Sequence, residues 1–125
     1  MKYLLDTHAA FWLAIGSTKL SKAAQRKLSR SPSGALAIAD ITLFELAMLE
    51  QKQRIAFASD FLSALAARFE VLPIEPAIAA AAATLALPQG DPFDRLIVAT
   101  ALHHELVLVT KDDAITDSRI VPTLW

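Results

Sequence analysis

Four carboxylates, Asp6, Glu45, Asp94 and Asp112, stand where a parallel α/β fold would bring them to one reaction centre. Asp6 closes the apolar run Tyr3-Leu4-Leu5, and Asp112 follows Leu106-Val107-Leu108-Val109, so each lies just past the end of a predicted buried strand. In open α/β sheets that edge is where ligands bind. Glu45 and Asp94 each fall in the predicted first turn of a helix, from which a side chain projects back toward the same edge. Four acids in one cleft repel one another unless a cation neutralises them, and an all-oxygen donor set favours Mg²⁺, with Mn²⁺ able to substitute.

The elements that must position these acids follow from the apolar patterning. Strand-like and helix-like stretches alternate along the whole chain, which predicts βαβ units and a parallel sheet. Strands are predicted at residues 2–6, 35–39, 70–74 and 106–110, with a last one around Ile120-Val121. Helices are predicted around Phe11-Trp12-Leu13, from the Ser21 cap to about Arg30, and over 41–51, 59–68, 76–87 and 92–104. Ser31-Pro32-Ser33-Gly34 and Pro88-Gln89-Gly90 read as stops. A chain of 125 residues without an internal boundary is expected to be one domain, residues 1–125, burying roughly two-thirds of its unfolded surface.

Composition narrows the setting. With no cysteine, a disulfide framework and a thiolate metal site are excluded. No apolar stretch approaches the roughly 20 residues of a spanning helix, so no membrane association and a cytoplasmic location are expected. A net charge of −1 offers no global attraction to nucleic acid, and any such binding must come from a local basic surface. The hydrophobic fraction of 54% exceeds what a lone small domain must hide; Phe11, Trp12, Phe44 and Met48 are candidates for a partner surface.

Each acid also has a plain structural reading. Thr42-Leu43-Phe44-Glu45 fits a capping box in which Glu45 returns to the Thr42 N–H. Asp91-Pro92-Phe93-Asp94 is a good helix start, with Asp91 at the cap and Asp94 against the dipole. Asp112 and Asp113 fit a turn after a strand. Asp6 resists such a reading best, because a carboxylate ending a buried strand is costly to desolvate without a partner.

The residues around the four acids carry a resemblance. Leu4-Leu5-Asp6-Thr7-His8-Ala9, Ile41-Thr42-Leu43-Phe44-Glu45-Leu46-Ala47, Gly90-Asp91-Pro92-Phe93-Asp94-Arg95-Leu96-Ile97-Val98-Ala99-Thr100-Ala101 and Leu108-Val109-Thr110-Lys111-Asp112 resemble, in order, the four motifs of PIN-domain ribonucleases, above all the VapC toxins of toxin–antitoxin pairs. The resemblance covers nearly the whole chain. It implies a PIN-like α/β fold, a central mainly parallel sheet flanked by helices on both faces. It also implies an Mg²⁺-dependent endoribonuclease with Asp6, Glu45, Asp94 and Asp112 as the acidic quartet and Thr110 as a polar companion. A cognate small antitoxin and a homodimer are further implications. Asp113 adjoins Asp112, leaving either to face the metal, and Asp40 stands where a small or apolar residue is expected.

In this chemistry Asp6 and Asp94, then Asp112, are the first candidates for direct metal ligands, because Mg²⁺ takes only one or two carboxylates and keeps several waters. Glu45, longer, is the candidate to hold a metal-bound water or act as general base. RNA must be held as well. Lys22, Arg26 and Arg30 repeat every four residues in a stretch without acids, forming either a phosphate-contacting strip or a solvated helix face. Arg95 and Lys111, each beside a candidate acid, are further phosphate-contact candidates, whereas His8 is discounted as a structural hydrogen-bonding residue. A haloacid-dehalogenase-like phosphatase would need an aspartate where His8 stands, and a phospho-receiver would need paired acids at the first strand end. The remaining alternative is a catalytically silent PIN-like module binding RNA or protein.

Overall fold

The computed structural model describes residues 2–32, 34–87 and 91–125. Five strands form one sheet: β1 (Tyr3–Leu5), β2 (Leu36–Ala39), β3 (Glu70–Leu72), β4 (Val107–Val109) and β5 (Thr123–Leu124). Their order is β3-β2-β1-β4-β5 and all four pairings are parallel. Leu5, for example, lies level with Ile38 on one side and Val109 on the other. The chain thus builds outward from β1 to β3, then returns to lay β4 on the other flank of β1. The reversal of strand order between β1 and β4 marks the place where such sheets bind ligands, at the carboxyl ends of the strands.

A parallel sheet is covered on both faces, so its strands are apolar on both sides. Leu5, Ile38 and Val109 face a cluster built with Ala9 and Phe11 of α1 (Thr7–Ile15), Ala24 and Leu28 of α2 (Lys22–Ser29), and Leu65 of α4 (Phe61–Arg68). Leu4, Ala37, Ala39 and Leu108 face Ile97, Val98 and Ala101 of α6 (Pro92–His103) and Ile115 of α7 (Asp113–Ser118). Between the faces, α3 (Asp40–Gln51) follows β2 and contributes Leu46 to the first cluster. Helix α5 (Pro76–Thr84) packs on α6 through Ile78, Ala82 and Ala99. Among the described residues, no helix is long and apolar enough to cross a membrane.

Departures from the sequence expectations have local causes. Helix α5 stops at Thr84, short of Leu87, because Leu85 turns extended and the Arg95 guanidinium takes the carbonyls of Ala82 (3.0 Å) and Leu85 (2.9 Å). The last strand lies at Thr123–Leu124 and not at Ile120-Val121. Val121 is drawn into the core, and the ladder runs through the Pro122 carbonyl, which accepts from Leu108 N–H, and the Leu124 carbonyl, which accepts from Thr110 N–H. Helix α7 replaces the turn expected after β4. The stop expected at Pro88-Gln89-Gly90 and Ser33 of the preceding turn lie outside the described residues.

Candidate active site

The site begins with two strand ends that are also helix caps. Asp6 leaves β1 with its N–H donating to the Val109 carbonyl (3.0 Å), and its Oδ1 accepts the Ala9 N–H at 2.9 Å, capping α1. Asp112 does the same one strand over: its Oδ1 accepts the Ile115 N–H at 3.0 Å and caps α7. Thr110, fully buried, links them, its Oγ1 accepting the Asp112 N–H at 3.1 Å while its hydroxyl serves Asp6. Each cap engages one carboxylate oxygen, so the structural and functional readings of these acids are complementary. The cap orients each carboxylate at the end of its strand.

Glu45 is held by a different device. It lies in the second turn of α3, one turn deeper than expected, because the helix begins at Asp40 with Ala39 as its cap. The capping box is absent: Glu45 Oε1 accepts from Thr7 Oγ1 at 2.5 Å, and Thr7 Oγ1 stands 3.2 Å from Thr42 Oγ1. A hydroxyl has one proton to give. With Glu45 ionised, Thr7 donates to it and Thr42 donates to Thr7, a two-threonine relay that fixes the carboxylate from behind.

The fourth acid, Asp94, sits in the first turn of α6, whose cap is Asp91, Oδ1 accepting from Phe93 N–H at 2.9 Å. All of these meet in one cleft of about 370 Å³ lined by Asp6, His8, Trp12, Glu45, Asp91, Asp94, Lys111 and Asp112. Asp91, read from sequence only as a cap, is therefore a fifth cleft carboxylate. His8 also lines it, exposed, with its ring 5.5 Å from that of Trp12.

The electrostatics match the crowding. Burial raises the pKa of Asp94 to about 7, and Asp91, Asp112, Glu45 and Asp6 all push it the same way. Burial also raises Asp6 against the lowering effect of its Thr110 and Ala9 hydrogen bonds, and raises Glu45 against that of Thr7. An excess of anionic charge, hard oxygen donors and partial enclosure fit a divalent cation such as Mg²⁺. Among the described residues, the three-donor group that draws together within 4.8 Å lies elsewhere, at Glu75, His103 and His104.

Other predicted residues are placed differently. Arg95 is not in the cleft; its guanidinium is committed to the end of α5. Lys22, Arg26 and Arg30 are exposed along α2, and Arg26, Lys27 and Arg30 line a separate recess of about 490 Å³ with Tyr3 and Leu124. Asp113 is exposed in the first turn of α7, so Asp112 is the residue of the pair that lines the cleft. Asp40 Oδ2 accepts the Ile74 N–H at 3.1 Å and ties the start of α3 to the segment after β3. Phe11 is buried in the core, whereas Phe44 is 57% exposed. Thr7 carries no role in the sequence reading although it stands inside the first motif, and Thr42, read from sequence as the cap of α3, instead backs Thr7 through its hydroxyl.

The PIN domain family model matches residues 3–119. The chain is 42% identical over 122 residues to Ribonuclease VapC22 of Mycobacterium tuberculosis (strain ATCC 25618 / H37Rv), covering 93% of this chain and 91% of that protein. Among solved structures it is similar to VapBC-1 from nontypeable Haemophilus influenzae (25% identity, TM-score 0.66, covering 99% and 97% of the two chains). A toxin-antitoxin complex from Klebsiella pneumoniae shares the fold (24% identity, TM-score 0.70, covering 96% and 95%). By a family match over nearly its whole length and a relative at this identity, the chain belongs to the PIN-domain family, in its VapC branch.

Proposed function

We propose that this protein is an Mg²⁺-dependent endoribonuclease, the toxin of a toxin–antitoxin pair, acting in the cytoplasm as a homodimer restrained by a small cognate antitoxin. The observation that carries the reading is the convergence of Asp6, Glu45, Asp94 and Asp112 in one cleft at the β1/β4 reversal, in a chain 42% identical to a protein named Ribonuclease VapC22. The similar VapBC-1 and Klebsiella structures, the latter described as a toxin-antitoxin complex, support the antitoxin. Exposed Phe44, its ring 6.2 Å from that of Phe93, offers apolar surface to a second protein.

In this reading Asp6, Asp94 and Asp112 hold the ion, whose chemistry when bound is to acidify a water and offset charge on the scissile phosphate. Glu45, fixed through Oε1 by Thr7, presents Oε2 to take the proton of the attacking water. Lys111 meets the phosphate at the rim. A silent binding module would gain nothing from an arrangement that raises the pKa of its own acids and repels RNA.

The test uses Asp6→Asn and Asp94→Asn proteins, freed of contaminating ribonuclease, against a mixed RNA substrate with Mg²⁺ or chelator, each with and without the product of the neighbouring reading frame. Cleavage should require Mg²⁺, vanish in both variants with circular dichroism unchanged, and be suppressed in a co-purifying complex. Near-wild-type cleavage by either variant would sink the catalytic assignment. A fully active monomer in the presence of the neighbouring product would sink the toxin reading.

A further inference from the structure

We infer that Glu75, His103 and His104 form a second metal site, selective for a borderline ion such as Zn²⁺ and separate from the acidic cleft. His103 Nε2 lies 3.3 Å and His104 Nε2 3.8 Å from the same Glu75 oxygen, Oε2, and all three donor atoms fall within 4.8 Å of one another. Zn²⁺ binds imidazole nitrogen and carboxylate oxygen at about 2.0–2.2 Å, so neighbouring donors around a tetrahedral ion stand about 3.3–3.5 Å apart. The observed spacing is already close to that shell.

A second, independent observation points the same way. His104 Nε2 is buried and has no hydrogen-bond partner among the described residues. A buried nitrogen left unpaired is costly, and unpaired polar atoms in native structures call for an explanation such as an ion. Nor does the carboxylate have a competing task. Glu75 occupies the cap position of α5, yet its side chain accepts no N–H of that helix. It turns instead to the histidine pair, whose rings meet edge to face at 80°.

The donor set also separates this site from the cleft. Two imidazoles and one carboxylate suit Zn²⁺, whereas the cleft offers a carboxylate-rich set that suits Mg²⁺. Three protein ligands leave a fourth position for water. Bound there, the ion clips the start of α5 to the end of α6, complementing the Arg95 contact that fastens the end of α5 beside the start of α6. The helix that carries Asp91 and Asp94 is then secured to α5 at both ends.

The experiment uses the full chain carrying Asp6→Asn and Asp94→Asn, which weakens the cleft as a competing site, stripped with chelator and titrated calorimetrically with Zn²⁺. One equivalent should bind with micromolar or tighter affinity and raise the Tm. Adding Glu75→Gln or His103→Gln should weaken binding by at least about tenfold. Co²⁺ in place of Zn²⁺ should give the intense visible bands of a four-coordinate ion, lost in the same variants. No binding, affinity indifferent to both substitutions, or only the weak bands of six-coordinate Co²⁺ would overturn the site. Should either variant fail to fold, the Co²⁺ spectrum of the parent decides.

Discussion

The two ends of α6 show how one helix can present opposite chemistries. Its N-cap Asp91 and its first-turn Asp94 line the acidic cleft, while its last turn carries His103 and its C-cap is His104, both meeting Glu75. At the N-terminus the helix dipole favours negative charge. The caps Asp6 of α1 and Asp91 of α6 repeat that arrangement around one cleft, with Asp112 capping the shorter α7 beside them. Even so, burial and mutual repulsion leave Asp94 titrating at about 7. At the C-terminus the donors are fewer, mixed in charge and drawn together within 4.8 Å. The difference teaches that one helix can offer a carboxylate-rich donor set at the end where its dipole favours negative charge and a mixed imidazole–carboxylate set at the other.

The comparison breaks most visibly if cleft acids need no holding. Thr7→Val removes the hydroxyl that fixes Glu45 and leaves Thr42 without its partner. RNA cleavage should fall about ten- to a hundredfold, the usual cost of losing an orienting contact behind a metal site, and Thr7→Ser should recover most of it. Single-turnover rates at saturating Mg²⁺ decide. Equal rates for Thr7→Val and wild type would show that Glu45 is positioned by something else.

A smaller effect sharpens the electrostatic half of the contrast. In the metal-free protein Asp94 is raised from 3.8 to about 7, and Asp6 and Glu45 shift upward as well. Between those values the folded state binds more protons than the unfolded state, so stability falls as pH rises through the window and levels off above it. Measured in chelator, the Tm should decline from pH 5 to pH 8. Asp94→Asn should flatten that decline and Mg²⁺ should offset it near pH 8. A wild-type slope no steeper than that of Asp94→Asn would contradict the burial and crowding of Asp94 in the cleft.

The smallest effect concerns what neither end of α6 supplies, a grip on RNA phosphate. Neutralising Lys22, Arg26 and Arg30 together should reduce the salt dependence of RNA binding by up to about three contacts, each worth roughly 0.7 in the logarithmic slope for single strands. Binding is measured in Ca²⁺, to hold cleavage back, across a range of salt. An unchanged slope would return α2 to the role of a solvated face, and Lys19 and Arg54, which line a groove sharing His8 and Trp12 with the acidic cleft, become the next candidates.

Much of the fold was legible because buried parallel strands are written as short apolar runs, and Tyr3–Leu5, Leu36–Ala39 and Val107–Val109 fall inside the predicted ones. Helix α7 was not, since six residues rich in polar side chains carry no apolar period to read. The strand at Thr123–Leu124 was misplaced because Ile120-Val121 is the more apolar pair, yet Val121 serves the core. In the site, the four acids were visible through their motifs and do share a cleft. Asp91 was concealed by its good credentials as a cap, and Arg95 was misread because adjacency to Asp94 in sequence places it a hundred degrees around the helix.

The sequence by itself determined where Asp6, Asp94 and Asp112 sit, at strand ends and in a first turn, because these are local matters settled by a few neighbouring residues, whereas Glu45 lies one turn deeper in α3 than its motif implies. Tertiary structure alone decided that these ends converge. Strand order, which no local pattern encodes, set β4 beside β1 and so brought Asp112 to Asp6. It also gave Glu45 a threonine from another helix instead of its own backbone, and joined Glu75 to a histidine pair 28 and 29 residues away in the chain. Such contacts depend on the packing of distant apolar faces, whose free energy is shared over the whole core and written at no single position.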